Sequence, residues 1–333
     1  MKAAVLLTTI VLSLTTSTGK LLAQRYTDAD GRTRIALIKM PYSGGRNVAE
    51  LSDVPDYLEE GGIAAVLAEM GGSLAPIRSV ELNAQDEREY GEWHRMGLAN
   101  GHLAEIVAAT EAEGYLSVGL LANCTSVIGV LGGLQRSGAG ESPLSIGLVF
   151  IDSHGDFNTP ETTLSGMLGG MPVAVSAGLA LHNLRRESGL DPALPTDRIV
   201  MGAVRDLDPL EEELVKNSQI EMISTEDIRR LSNNLHRQMQ RLSEITDLIY
   251  VHIDMDVLDP SEVEGHPLTV PDGPTSLELA AALTEMFKYE KVAALGIAST
   301  PANDRDPEGK SREAAYNLIR GAVEGIQART GSQ

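Results

Sequence analysis

The chain has 333 residues, 42% of them apolar and 22% charged, an ordinary globular composition that excludes a disordered, collagen-like or multi-span membrane protein. Lys and Arg total 27 against 47 Asp and Glu, and the resulting net charge of −20 repels phosphate backbones and anionic lipid alike, so nucleic acid is not an expected partner. The single cysteine, Cys124, excludes an intrachain disulfide framework and a multi-cysteine zinc or iron–sulfur site, which leaves any metal mainly to carboxylates and histidine.

The first 23 residues read as a secretory signal. Lys2 gives a positive start, 3–16 form a Thr-diluted apolar run, and the small residues Ser17, Gly19 and Ala23 offer cleavage sites. The run is too short for a transmembrane span of about 20 residues. The expected location is therefore secreted or periplasmic, with no membrane contact after signal removal, and cytoplasmic if the N-terminal segment is not a signal.

Beyond that segment, short runs rich in Val, Ile and Leu alternate with longer amphipathic stretches, as in a parallel sheet covered by helices. The predicted strands are 34–40, 116–122, 145–151, 198–203, 220–224, 248–254 and 292–298. A helix start is expected at Ser224-Thr225-Glu226-Asp227, a helix over 276–289 from the spacing of Leu279, Ala282, Leu283 and Met286, and a closing helix over 313–328. The glycines of Gly129-Val130-Leu131-Gly132-Gly133 lack a dinucleotide fingerprint and are expected to permit close helix packing. No long linker or internal repeat interrupts the rhythm, so 24–333 is expected to form one three-layer α/β/α domain with a central, mostly parallel sheet.

Ligands of open α/β sheets bind at the carboxyl ends of the strands, and two of those ends carry acid. The run ending at Ile151 is followed by Asp152-Ser153-His154-Gly155-Asp156, and the run ending at Val251 by His252-Ile253-Asp254-Met255-Asp256. Asp152, His154 and Asp156 share a side if the backbone stays extended, as do Asp254 and Asp256. Carboxylates packed this closely repel one another unless a cation lies between them. Oxygen ligands with imidazole suit Mn²⁺ best, with Zn²⁺, Fe²⁺, Co²⁺ or Ni²⁺ as other divalent options. Asp259, which precedes Pro260, reads as a turn-former and stays outside the site.

The two carboxylate motifs, with Asp254-Met255-Asp256 running on to Val257-Leu258-Asp259-Pro260, resemble the signatures of the arginase/agmatinase/formiminoglutamase (ureohydrolase) superfamily. That resemblance implies two Mn²⁺ ions bridged by a hydroxide that attacks a guanidinium or formimino carbon. It implies that Asp152 and Asp254 bridge the metals, that Asp156 completes one site, and that His154 and Asp256 complete the other. His154 and Asp156 are thereby the candidate catalytic residues. The loop from Asn158 to Ser165 resembles the one that holds a substrate α-carboxylate, and Asp208 and Glu211 fall in the segment that receives its α-amino group. Relatives are commonly trimers or hexamers, so a homo-oligomer is expected.

Three positions depart from the family pattern. Where relatives carry a metal-binding histidine after an earlier strand, this chain has Cys124, which stands there as a soft metal ligand, a small buried residue or a nucleophile; the sequence leaves these open. The stretch with a proton-relay histidine reads Gly169-Gly170-Met171-Pro172, and the run with a guanidinium-pairing Glu reads Ile297-Ala298-Ser299-Thr300-Pro301. The expected activity is hydrolysis of a non-peptide C–N bond in an amino-acid-derived guanidino, hydroxyguanidino or formimino compound, with one or two Mn²⁺ per chain. A catalytically impaired homologue that binds or regulates is the alternative, and a metal-dependent deacetylase is a more distant one.

Overall fold

The computed structural model describes residues 25–43 and 49–331. The segment read as a signal lies outside the described residues. Among the described residues nine strands form one sheet: β1 Thr33–Met40, β2 Gly72–Leu74, β3 Arg78–Ser79, β4 Leu116–Leu121, β5 Ile146–Ile151, β6 Ile199–Gly202, β7 Glu221–Ile223, β8 Leu248–Asp254 and β9 Val292–Ala298. Their order is β2-β1-β4-β9-β8-β5-β6-β7, with β3 also paired to β1, and every pairing between named strands is parallel. All seven predicted strands are present. Strands β2 and β3 were not legible, because three and two residues are too few for an apolar period.

Six helices of eight or more residues lie among the described residues: α1 Glu92–Ala112, α2 Val127–Arg136, α3 Pro209–Lys216, α4 Asn233–Ile245, α5 Ser276–Phe287 and α6 Lys310–Gly331. Helices α1 and α2 pack on one another and on strands of the sheet, while α5 and α6 pair as a second unit, with α6 on β1 and β9. Every residue of β4, β5, β8 and β9 is buried. That explains why these strands read as unbroken apolar runs rather than as an alternation. The expected α/β/α architecture is the one observed.

Local chemistry sets the helix ends. Ser224 caps Thr225–Arg229 by accepting from the Asp227 amide while the Asp227 carboxylate takes the Ser224 amide, and Thr275 with Glu278 repeats this device at α5. The glycines of α2 serve packing, as the sequence implied: a Cβ on Gly129 would lie 2.7 Å from the Asn100 carbonyl and one on Gly133 2.7 Å from the Ala104 carbonyl of α1. Only glycine permits that approach of two helix backbones.

This topology decides where a site can form. Strands β4 and β5 are successive in sequence yet stand on opposite sides of the β9–β8 pair, so the loops after them leave in different directions. A crevice opens over the carboxyl ends of β9 and β8, the place where such sheets bind ligands.

Candidate metal centre

Five strand ends deliver side chains to the crevice. Asn123 and Cys124 follow β4, Asp152 to Asp156 follow β5, Asp206 and Asp208 follow β6, Asp254 ends β8 with Asp256 in the turn after it, and Ser299 follows β9. The cavity there has a volume of about 520 Å³. Asp152, Asp254 and Asp256 are almost completely buried, and three groups of ligand atoms each lie within 4.8 Å of one another: Cys124–Asp152–Asp254, Asp152–His154–Asp256 and Asp254–Asp256–His266.

Backbone amides and neighbouring hydroxyls aim the carboxylates. Asp152 Oδ1 accepts from the His154 amide at 2.7 Å, and Asp254 Oδ1 accepts from the Asp256 amide at 3.1 Å. Ser153 Oγ donates to Asp256 Oδ1 at 2.7 Å and lies 3.0 Å from His154 Nδ1. That same ring nitrogen is 3.2 Å from Asp256 Oδ2 and 3.4 Å from Asp152 Oδ1. Two strand ends are thus tied through one serine.

The electrostatics are those of a site that needs positive charge. Burial, followed by mutual repulsion, pushes the carboxyls of Asp152 and Asp156 well above the usual range, and Asp254 is raised for the same two reasons. Burial opposes charge on His154, but Asp152 and Asp256 outweigh it and push the imidazole up to about 11. Asp256 is also opposed by burial, and is nevertheless lowered by His154. In the protein alone, a histidinium supplies the cation that these carboxylates require.

The donors fit a hard divalent ion on one side and not on the other. Asp152, His154 and Asp256 offer carboxylate oxygen and imidazole, the set that suits Mn²⁺. Cys124 is buried and donates its S–H to Asp254 Oδ2 at 2.7 Å, while burial and then the nearby Asp254, Asp156 and Asp152 push its thiol well above its ordinary range. Sulfur is a soft donor poorly matched to Mn²⁺, so this side suits a hard ion less well than the other. The surrounding carboxylates oppose a thiolate, which weighs against the nucleophile reading.

A family model described as the arginase family matches residues 123–323. The chain belongs to the arginase family. Among relatives in this family, the arginase of Brevibacillus brevis is 24% identical over 259 residues, covering 74% of this chain and 85% of that protein, and the arginase of Bacillus caldovelox is 26% identical over 239 residues, covering 69% and 78%. The crystal structure of arginase from Bacillus subtilis superimposes with a TM-score of 0.76 at 23% identity, covering 87% of this chain and 98% of that one. The formimidoylglutamase structure from Bacillus subtilis subsp. subtilis str. 168 gives 0.66 at 18% identity, covering 90% and 89%.

The predicted residues of this arginase-family chain converge, with local differences. The extended backbone expected through Asp152, His154 and Asp156 does not persist: β5 ends at Ile151 and Asp156 has a φ of +47°. Asp156 is brought toward Asp254 by that turn, not by strand alternation. It falls outside the three ligand groups but lines the cavity. Asn158 and Asp208 meet, the amide donating to Asp208 Oδ2 at 3.1 Å. Ser165 stands exposed at the mouth. Glu211 also lines the cavity, but its two oxygens accept the Phe157 amide at 2.7 Å and the Asp208 amide at 3.1 Å, so it joins the β5 loop to the start of α3. Asp259 forms the expected turn, accepting from Ser261.

Sequence reasoning missed His266 and the role of Ser299. His266 comes from the long loop after β8, which Arg205 pins by donating to the carbonyls of Val270 and Pro271. Its Nε2 is 3.8 Å from Asp254 Oδ1, and its Nδ1 accepts the Leu268 amide at 3.2 Å. The ring nitrogen that the Leu268 amide leaves free thus faces Asp254, and His266 joins Asp254 and Asp256 in the third ligand group. The one signal for it was Gly265: a Cβ there would collide with the Arg305 carbonyl, which fixes where the next residue can stand.

Proposed function

We propose that the chain is a metal-dependent hydrolase that cleaves a non-peptide C–N bond in an amino-acid-derived guanidino, hydroxyguanidino or formimino compound. The observation that carries this reading is the Asp152–His154–Asp256 group within 4.8 Å, opening on the cavity that Asn158, Ser165 and Asp208 also line. A divalent ion held there would supply an acidified water and electrostatic stabilisation of charge developing at the carbon under attack. The chain's own residues do the rest: Asp152, His154, Asp254 and Asp256 would hold the ion, Ser153 fixes the orientation of Asp256, and Asn158 and Asp208 orient the amino-acid end of the substrate. Mn²⁺ matches the donor set best.

The cavity favours a less basic or bulkier group than plain arginine. The end of β9 offers Ala298 and Ser299 in place of a carboxylate, so that side of the cavity brings no negative charge to a guanidinium. Gly169 leaves space: a Cβ there would have Asn123 Nδ2 at 3.5 Å as its nearest neighbour. Leu164, Met167 and Leu268, all exposed, form an apolar rim on which an N-substituent can rest.

The N-terminal segment supports export of this activity, and the family supports a homo-oligomer. The experiment that tests the function is a screen for urea, ammonia and formamide release from arginine, agmatine, N-hydroxyarginine and formiminoglutamate, with the chain loaded with Mn²⁺. Release from one of the less basic amino-acid derivatives is expected. A loaded, folded chain that hydrolyses none of the panel would favour the impaired-homologue reading.

A further inference from the structure

We infer that this chain holds one divalent ion per protomer, on the His154 side, and that hydrogen bonds replace the second ion on the Cys124 side. The inference rests on the reading of the centre as a metal site given above. Its carrier is the asymmetry of Asp254. Oδ2 of that carboxylate accepts from two protein donors, Cys124 Sγ at 2.7 Å and Ser299 Oγ at 2.9 Å. Oδ1 accepts the Asp256 amide at 3.1 Å and faces Asp256 and His266. A carboxylate bridging two ions, through one oxygen or both, would need a lone pair free on each side. Here the oxygen on the Cys124 side is already engaged by Cys124 Sγ and Ser299 Oγ, and an ion placed there would have to displace them.

The two donors are fixed by the fold. Cys124 opens the turn after β4 and is buried. Ser299 is 6% exposed, has a φ of +61°, and its amide bonds back to the Leu121 carbonyl at 3.3 Å, so the ends of β4 and β9 bring hydroxyl and thiol to the same oxygen. Two donors stabilise a buried carboxylate charge as a cation would, though more weakly. On the other side Asp152, His154 and Asp256 keep a complete hard donor set, to which Asp254 Oδ1 can add a fourth ligand.

The test is metal content by elemental analysis of the full chain, stripped, reloaded with Mn²⁺ and dialysed, together with the electron paramagnetic resonance spectrum of the bound ion. The expected result is one Mn²⁺ per chain with the hyperfine pattern of an isolated ion, unchanged in Cys124→Ala, Cys124→Ser and Ser299→Ala variants that melt cooperatively. Cys124→His is expected to take the content toward two and to produce an exchange-coupled spectrum. Two ions or an exchange-coupled spectrum in the unmodified chain would overturn the inference, as would loss of the ion in Cys124→Ser. A chain that binds one ion and hydrolyses none of the guanidino panel leaves this inference standing while the proposed function fails; a chain that binds none overturns both.

Discussion

The amide of Asn158 donates to Asp208 Oδ2 at 3.1 Å, joining the loop after β5 to the residue that caps α3. Asn158 Oδ1 is in turn the acceptor for Thr162 Oγ1 at 2.9 Å, so both ends of the side chain are committed to positioning. In the proposed function this pair orients the amino-acid end of the substrate. Replacing Asp208 by Ala is expected to reduce the preference for α-amino acids over their decarboxylated analogues by about 1–3 kcal/mol, the scale of one charge-assisted contact. Comparing kcat/KM for each substrate pair checks it, and an equal loss for both members would refute the role.

Loss of a carboxylate at the metal side should be far more damaging. Asp256→Ala and Asp254→Ala are each expected to lose bound Mn²⁺ on dialysis and the thermal stabilisation that excess Mn²⁺ confers, because an ion that binds only the folded chain stabilises it by mass action. Melting with and without Mn²⁺, beside metal analysis, reads both effects. Retention of metal after Asp254→Ala would remove that residue from the ligand set.

Glu211 gives a prediction about stability. It is 3% exposed and accepts two backbone amides, so Glu211→Ala leaves those donors without their partner and should cost about 2–4 kcal/mol, from one to two unsatisfied groups. Glu211→Gln keeps one acceptor oxygen and should cost less. Urea denaturation of the two variants checks the order, and equal midpoints would show that the loop does not depend on this carboxylate.

Gly169 offers a gain-of-function test. The space around it is open and its backbone does not require glycine, so Gly169→His should fold with little change in melting temperature. In the proposed function it adds an imidazole to the cavity, and turnover of a guanidino substrate is expected to rise about tenfold, less than the roughly hundredfold or more of a well-positioned acid–base group. Unchanged kcat with unchanged metal content would show that a proton relay does not limit the rate.

Asp227 predicts a pH effect away from the metal. Burial raises its pKa, but hydrogen bonds from Ser232, Asn234 and Ser224 outweigh this and hold the carboxyl down at about 2. A folded pKa below the unfolded one adds stability that is present above the unfolded value and is lost as pH falls toward 2. Asp227→Asn should therefore lower the melting temperature at neutral pH, and the gap between variant and parent should close in acid. A gap constant down to acid pH would contradict the assignment.

Much of the centre was legible because its residues follow strands whose apolar runs are unmistakable. The burial of β5 and β8 on both faces forces Val, Ile and Leu into them, and the first acids after such a run, Asp152 and Asp254, must stand at a carboxyl end. Helix starts at Ser224 and Thr275 were written in local hydrogen-bonding chemistry that acts over three residues. Short-range physics of this kind is carried by the sequence itself.

What the tertiary structure decided lies where residues far apart in the chain meet. The partners of Asp254 Oδ2 are 130 and 45 residues away, and no period or motif links Cys124 to Ser299. His266 reaches the site on a loop held by Arg205 through carbonyls 65 and 66 residues on, a constraint invisible until strand order is known. The sequence by itself determined the residue types at the ends of β5 and β8, since alternating apolar and acidic segments fix where each strand stops. Only the fold determined that Cys124 faces a carboxylate as a hydrogen-bond donor, because a thiol's protonation depends on burial and on the charges packed around it.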